Sequence, residues 1–175
     1  FGQIISSAEG KLFSTHMPFL ADQPSKLLGH FAKSNPQWEQ IEGQEVLVSF
    51  QGPHDYVSPS WYAQSGVPTW NYQAVHVYGI ARVFREEELL KKLVDRLTEK
   101  YEANSENPWL PDYSASMLKG IIGVEIEISE IQCKFKLSQN RSVEDREKVI
   151  EELEKLEKKK GAHPLAQAMR DHSFD

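Results

Sequence analysis

Apolar residues alternate with other residues along much of the first two thirds of the chain, a pattern typical of strands. Val124 and Ile126 alternate with Glu125 and Glu127, as expected for a strand with one face in water. The clearest predicted strands are residues 45–51, 71–84 and 123–135, and the weaker candidates are residues 2–7, 12–20 and 27–32.

Helical periodicity predicts helices between the strands. Residues 86–101 place apolar side chains at i, i+3 and i+4 spacing, which predicts an amphipathic helix facing the core. These side chains are Leu89, Leu90, Leu93, Val94 and Leu97. Asn35 followed by Pro36 predicts the cap and first turn of a short helix through Ile41. Ser114 is placed to cap another short helix, through Lys119.

The C-terminal part of the chain predicts one long, highly charged helix. Ser142 and Asp145 form a start like a capping box, and Gly161 is expected to stop the helix after Lys160. Three apolar residues repeat at a spacing that fits a dimerisation seam or a DNA-reading helix: Val149, Leu153 and Leu156. A solvated face is the alternative for its mixed charges.

Strands followed by interspersed and trailing helices predict a mainly β fold, an antiparallel barrel with flanking helices. We expect residues 1–141 to form the barrel domain and residues 142–175 to form a helical extension packed on it. The single cysteine, Cys133, excludes an intramolecular disulfide and is expected to be a buried, inert thiol. Without an apolar run long enough to span a bilayer, the expected location is the cytoplasm.

The net charge of −6 argues against a protein that coats nucleic acid, because phosphate contacts need local cations. Direct DNA contact stays open only for a local basic face in the last third of the chain. The cations there are Lys134, Lys136, Arg141, Lys158, Lys159, Lys160 and Arg170.

Residues 51–79 concentrate aromatic and hydroxyl side chains around one short turn, with proline at 53, 59 and 68. The rings of Tyr56, Trp61, Tyr62, Trp70 and Tyr72 can stack on a planar heterocycle. The polar side chains that can meet its edge are Ser58, Ser60, Thr69 and Asn71. Packing in the barrel core and at a dimer contact is the alternative explanation of these aromatics.

Histidines at 16, 30, 54 and 76 raise the question of a metal or haem, since imidazole is a common ligand. Without an HExxH motif we expect no metal site, and hydrogen-bonded structural histidines are the simpler interpretation.

Three runs in this order resemble the PaiB family of FMN-binding negative transcriptional regulators. They are SFQGPHDYVSPSWY at 49–62, VPTWNYQAVHVYG at 67–79 and GVEIEISEIQCKFKLSQNR at 123–141, with weaker matches THMPFL at 15–20 and GHFAKSNPQW at 29–38. The resemblance implies the FMN-binding split-barrel fold, a homodimer with flavin at the subunit interface, and a short N-terminal segment before Phe1.

The resemblance also implies a set of cofactor-binding residues, with Arg141 and Lys136 as the expected phosphate ligands. The full set is Ser58, Ser60, Trp61, Tyr62, Thr69, Trp70, Asn71, Lys136, Gln139 and Arg141. One departure is the loop at 63–66, which is shorter than is usual in the family and lacks its customary lysine.

Three functions follow as alternatives. The first is a flavin-binding repressor that senses a small molecule or a redox state. The second is a flavin-dependent oxidoreductase or a haem-handling enzyme of the same fold, so enzymatic activity is left open. The third is a barrel that has lost its ligand and acts through protein contacts, which the short 63–66 loop favours.

Overall fold

The computed structural model describes residues 1–64, 66–156 and 163–172. Within them lie seven strands and four helices. The strands are β1 (Gly2–Ala8), β2 (Lys11–Met17), β3 (Leu20–Asp22), β4 (Lys26–Ala32), β5 (Glu45–Val57), β6 (Thr69–Phe84) and β7 (Ile121–Lys136). The helices are α1 (Glu87–Glu102), α2 (Ala115–Leu118), α3 (Val143–Leu156) and α4 (Pro164–Asp171), with short 3₁₀ turns at Pro36–Gln40 and Pro59–Trp61.

The chain divides into two compact units. Unit 1 comprises residues 1–50 and 76–132, and unit 2 comprises residues 51–75 and 133–175. Strands β5, β6 and β7 each contribute residues to both units. The expected domain boundary after residue 141 lies inside unit 2, and the separate helical extension stays a prediction.

The sheet has the strand order β2-β1-β5-β6-β7-β4-β3, and each pairing with a described register is antiparallel. In unit 1, Ile4 of β1 lies opposite Thr15 on one side and Val48 on the other. Ile4 and Val48 are fully buried, because alternate residues of these strands face the core. The mainly β, antiparallel prediction is confirmed.

Helix α1 buries a narrower stripe than its periodicity predicts. Leu90, Leu93, Val94 and Leu97 are buried, whereas Leu89 is 46% exposed. Adjacent residues of an α-helix point about 100° apart, so Leu89 falls outside the buried stripe. The helix still forms over almost the predicted range, Glu87–Glu102.

The 3₁₀ turn after β4 confirms the predicted cap, since the Asn35 side chain accepts a hydrogen bond from the Gln37 backbone N–H at 2.9 Å. Gln37 is only 1% exposed. Its amide accepts a hydrogen bond from the Thr15 hydroxyl at 2.6 Å and donates one to the Ser6 hydroxyl at 2.9 Å. A buried amide therefore fastens this turn to the β1–β2 hairpin.

Unit 2 has its own core, in which α3 packs with α4. Val149 and Leu153 are fully buried with Leu165 and Met169, whereas Leu156 is 53% exposed. The apolar spacing on α3 therefore belongs to the interior of unit 2, and its interpretation as a dimerisation seam is wrong. Ser142 caps the helix by accepting a hydrogen bond from Asp145 N–H at 3.1 Å, as predicted, but the predicted end at Lys160 lies outside the described residues.

Two further expectations are wrong. Strand β5 does not end at Gln51 but continues through Pro53 to Val57. Proline is tolerated in a strand where its missing N–H would have no partner in the ladder. Cys133 is exposed, because the part of β7 beyond Ile128 is no longer covered, and most of its residues face solvent.

Candidate functional site

Lys136 connects the start of β6 with the end of β7 inside unit 2. Its ammonium group donates hydrogen bonds to the Thr69 hydroxyl and, at 3.0 Å, to the Trp70 carbonyl. Lys136 and Thr69 are 67 residues apart in sequence, and β6 and β7 are neighbours in the sheet. The fold therefore brings together three of the predicted cofactor-binding residues.

Arg141 lies over the ring of Tyr62. Its guanidinium carbon is 4.2 Å from the ring centroid, within the range of a cation–π contact. Gly66 completes this contact, because a Cβ at that position would lie 2.5 Å from Tyr62 Cδ2 and 3.4 Å from an Arg141 Nη atom. Only glycine allows the backbone of this loop so close to the ring.

Neither Lys136 nor Arg141 pairs with a carboxylate in the described part of the chain. The helices of unit 2 behave differently. Lys148 pairs with Glu144 at 2.8 Å, and Arg170 pairs with Glu154. The two predicted phosphate ligands thus keep an uncompensated positive charge, which is what an anionic ligand requires.

Asn71 is fully buried, and its contacts are internal. Its amide donates hydrogen bonds to the Ser138 hydroxyl at 2.9 Å and to the Met169 sulfur at 3.6 Å, whereas its Oδ1 atom has no partner among the described residues. These contacts position the turn after β7. A role of Asn71 at the edge of a cofactor stays a prediction.

The turn after β7 is held by Gln139. Its Oε1 atom accepts a hydrogen bond from Leu137 N–H at 2.6 Å, and its Nε2 atom donates to the Phe135 carbonyl. Ser138 within this turn has a positive φ of 63°, a backbone conformation that residues other than glycine rarely adopt. Gln139 and Asn71 therefore fix the segment that presents Lys136 and Arg141.

Ser58 and Ser60 form a local cap. The Ser58 hydroxyl accepts a hydrogen bond from Ser60 N–H at 3.3 Å, and the two hydroxyl oxygens lie 2.7 Å apart. Trp61 and Tyr62 follow at once and pack against the core of unit 2, where Tyr62 is 8% exposed. No contact within the described residues joins Ser58 or Ser60 to Lys136 or Arg141, so their cofactor role stays a prediction.

Trp70, next to Thr69 in β6, has a partly exposed ring. It is 47% exposed, and its indole N–H donates a hydrogen bond to His54 Nδ1 at 3.2 Å. The two rings stack with centroids 5.9 Å apart, and Tyr56 lies on another side of the indole at 6.4 Å. Because these contacts already fix the orientation of the indole, a planar ligand could stack on it at little further cost in side-chain entropy.

Two contacts of unit 2 were missed in the sequence. The buried carboxylate of Asp145 accepts a hydrogen bond from Ala63 N–H at 2.7 Å, and so holds the loop that leads to Gly66. His163 Nε2 lies 3.2 Å from an Asp55 carboxylate oxygen. Neither pair has a signal in sequence, because the partners are 82 and 108 residues apart.

Lys136, Thr69 and Trp70 contact one another, whereas no contact among the described residues joins Arg141 to these three, so their common role at a phosphorylated planar ring stays a prediction. Lys136 and Arg141 supply charge, Thr69 supplies a hydroxyl and Trp70 supplies an exposed ring face. We call these four residues the cation–indole surface. Across the described ranges no three His, Cys, Asp or Glu side chains come together as metal ligands do, and no helix is long and apolar enough to cross a membrane.

Comparison with known proteins gives the same class of ligand. The model of the family described as "Putative FMN-binding domain" matches residues 1–130, which is most of the chain but ends before Lys136 and Arg141. Protease synthase and sporulation protein PAI 2 of Bacillus subtilis is 44% identical over 180 residues, covering 98% of this chain and 86% of that protein. An uncharacterised protein of Emericella nidulans is 35% identical over 189 residues, covering 82% and 75%.

Solved structures establish the fold. The FAD and haem binding protein of Mycobacterium smegmatis matches with a TM-score of 0.63 at 13% identity, over 83% of this chain and 69% of that one. The flavocytochrome Anf3 of Azotobacter vinelandii matches with a TM-score of 0.62 at 14% identity, over 82% of this chain and 65%, just under two thirds, of that one. This chain belongs to the PaiB family and has the antiparallel split-barrel fold of FMN-binding proteins.

Proposed function

We propose that this protein binds FMN at the cation–indole surface of unit 2 and acts as a flavin-dependent negative regulator of transcription. The observation that carries the proposal is a pair of cations, Lys136 and Arg141, that have no carboxylate partner among the described residues of a member of the PaiB family. Lys136 and Arg141 would hold the phosphate of FMN, and Trp70 would stack on its ring system. When bound, flavin supplies electron-transfer chemistry that can report the redox state of the cell.

A homodimer is part of the proposal. Trp70 and Tyr56 are 47% and 41% exposed, so much of the ring surface that would hold the flavin faces solvent in one chain. A partner subunit laid over this surface would bury both the rings and the cofactor. Exposed aromatic side chains of this kind are enriched at protein interfaces.

The regulatory role is supported by the name of the Bacillus subtilis relative, which refers to protease synthesis and sporulation. The net charge of −6 disfavours a protein that coats DNA, so regulation through a sensed ligand and a protein partner fits better than direct repression. A cytoplasmic location is the setting in which this role makes sense, and it stays a prediction.

The decisive experiment compares the dissociation constants of FMN and riboflavin, which differ only in the phosphate. We expect Arg141→Ala to weaken FMN binding about tenfold or more, since it removes a charge-assisted hydrogen bond, and to leave riboflavin binding unchanged. Flavin fluorescence during titration measures both constants.

Lys155→Ala is the matched control, because Lys155 lies on α3, where it pairs with Glu152 at 2.6 Å. Equal losses for FMN and riboflavin in Arg141→Ala would remove the arginine from the phosphate site. Failure of the wild-type protein to retain either flavin would favour the barrel without a ligand. Steady oxidation of reduced nicotinamide by the flavin-loaded protein would replace the regulator with an oxidoreductase.

A further inference from the structure

A cleft of about 430 Å³ opens in unit 1, far in sequence from the cation–indole surface. Its lining comes from Pro18, β4, α1, α2, the first residue of β7 and the segment 109–113. Leu97 and Leu118 form part of its apolar floor and are buried, whereas Trp109 and Tyr113 line one side with rings 5.4 Å apart in an edge-to-face arrangement. The volume lies in the range of small-molecule sites.

His30 of β4 brings a nitrogen to this apolar lining. Its imidazole forms no hydrogen bond to any described residue, and the Nδ1 atom is buried away from solvent. The Nε2 atom does not belong to the buried, unpaired atoms, so Nε2 is the ring nitrogen that a ligand can reach. A buried N–H without an acceptor is more costly than an unpaired acceptor, which favours the tautomer with its hydrogen on Nε2.

The imidazole is held in its neutral form. Burial lowers the pKa of His30 below its ordinary value of 6.5. At neutral pH the cleft therefore presents a neutral N–H donor rather than a charge.

The remaining polar groups of the lining also define the ligand. None of the lining residues is lysine or arginine. The Glu102 carboxylate at the rim accepts a hydrogen bond from the backbone N–H of Trp109 at 2.8 Å and has no cationic partner among the described side chains. The hydroxyls of Thr98 and Tyr113 lie 2.6 Å apart and satisfy each other. The rim charge disfavours anions, phosphate included.

We propose that this cleft is a second ligand site, which binds a small, neutral, planar aromatic compound whose carbonyl oxygen or ring nitrogen accepts a hydrogen bond from His30 Nε2. The aromatic side chains supply ring contacts, and the leucines exclude water from the hydrogen bond. This ligand differs in chemical class from FMN, because the cleft offers nothing to neutralise a phosphate. The proposal is independent of flavin binding in unit 2.

Quinoline and naphthalene are the probes, since they share one shape and only quinoline has a ring nitrogen. Binding is followed by the Trp109 indole N–H signal in ¹H–¹⁵N spectra of the full chain, assigned by its loss in Trp109→Phe. We expect a saturable shift of this signal with both probes. The indole signals of Trp61 and Trp70 in unit 2 serve as internal controls and stay in place.

Three variants test the hydrogen bond and the site. His30→Phe removes the donor and keeps a ring, so quinoline binding weakens about fivefold or more while naphthalene binding stays within about twofold. His30→Gln can place an N–H near the position of Nε2 and retains quinoline binding. Met117→Trp, at a lining position that is 58% exposed, fills the cleft from its rim without disturbing the core and abolishes binding of both probes.

Absence of a saturable shift of the Trp109 signal with either probe would overturn the proposal. Equal losses of quinoline and naphthalene affinity in His30→Phe would overturn the hydrogen bond to Nε2. If His30→Phe does not fold, unchanged binding of quinoline to Met117→Trp would place the probe elsewhere and overturn the site.

Discussion

Unit 1 and unit 2 each carry a candidate ligand site, and the two sites differ in charge. The cleft of unit 1 is apolar, with one neutral imidazole and no cation in its lining. The cation–indole surface of unit 2 is exposed and has two cations without carboxylate partners in the described ranges. One fold therefore offers places for two classes of ligand.

The difference follows from the cost of burying charge. An ammonium or guanidinium group that is moved out of water without a partner loses several kcal/mol of solvation, so unpaired cations stay in contact with solvent. A neutral imidazole loses much less and can lie half-buried beside leucines. A site for phosphate must be exposed until its ligand or a partner covers it, whereas a site for a neutral ring can be lined by buried leucines such as Leu97 and Leu118.

The largest expected effect separates the two sites by charge. The double variant Lys136→Ala/Arg141→Ala removes both proposed phosphate ligands, and we expect FMN affinity to fall about hundredfold or more, at about 1.5 to 3 kcal/mol for each charged hydrogen bond. Quinoline binding, followed at the Trp109 signal, stays unchanged. Titrations of the same preparation with both ligands measure this, and a parallel loss of quinoline affinity would contradict the comparison.

A smaller effect is expected at the loop that carries Gly66. Asp145→Ala removes the buried carboxylate that accepts the hydrogen bond from Ala63 N–H, so the free energy of unfolding falls by about 1.5 to 3 kcal/mol, the range of hydrogen bonds to charged groups. Asp145→Asn keeps an acceptor oxygen and loses less. Urea denaturation measures the free energy, and hydrogen exchange at Ala63 N–H locates the loss. If the asparagine variant is as unstable as the alanine variant, the carboxylate charge matters more than the hydrogen bond.

The smallest effect concerns the neutral imidazole of unit 1. Because burial lowers the pKa of His30, the unfolded chain takes up a proton at this residue before the folded chain does as the pH falls. The contribution of His30 to the free energy of unfolding is therefore fully present above pH 6.5. Below pH 6.5 this contribution decreases, by at most about 1.4 kcal/mol per pH unit, until the pKa of the folded state is reached.

The matched control for this pH dependence is His30→Gln, which cannot titrate. The difference in the free energy of unfolding between the wild-type protein and this variant isolates the contribution of His30 from that of the other histidines. Denaturation curves between pH 7.5 and about pH 5 measure it. A difference that does not change with pH would show that folding leaves the pKa of His30 unshifted, and a difference that grows in favour of the wild-type protein as the pH falls would show that folding raises it.

Periodicity predicted the elements whose burial is set by their own sequence. Strand β4 and helix α1 form within a few residues of their expected ranges, because alternate or i, i+3 and i+4 side chains face the core. Periodicity failed where contacts with neighbouring elements determine the length of a strand or the exposure of a side chain. The length of β5 depends on whether Pro53 lacks a ladder partner, and the exposure of Leu89 and Cys133 depends on what covers them.

The candidate sites were predictable only in part, for the same reason. Family resemblance pointed to Thr69, Trp70, Lys136 and Arg141, and the structure joins the first three and places the fourth on Tyr62. The hydrogen bond from Ala63 to Asp145 has no local signature. The cleft beside His30 is also invisible in sequence, since its lining comes from five separate parts of the chain, including an irregular segment around Trp109.

The two hydrogen bonds of the Lys136 ammonium group affect the entropy that is lost when a ligand binds. A free lysine side chain has about 2 kcal/mol of rotamer entropy, much of which is lost when the ammonium group is immobilised by a ligand. In this protein the hydrogen bonds to the Thr69 hydroxyl and the Trp70 carbonyl already restrict the side-chain rotamers of Lys136. The loss occurs on folding instead of on binding, so an arriving anion meets a cation that is already in position.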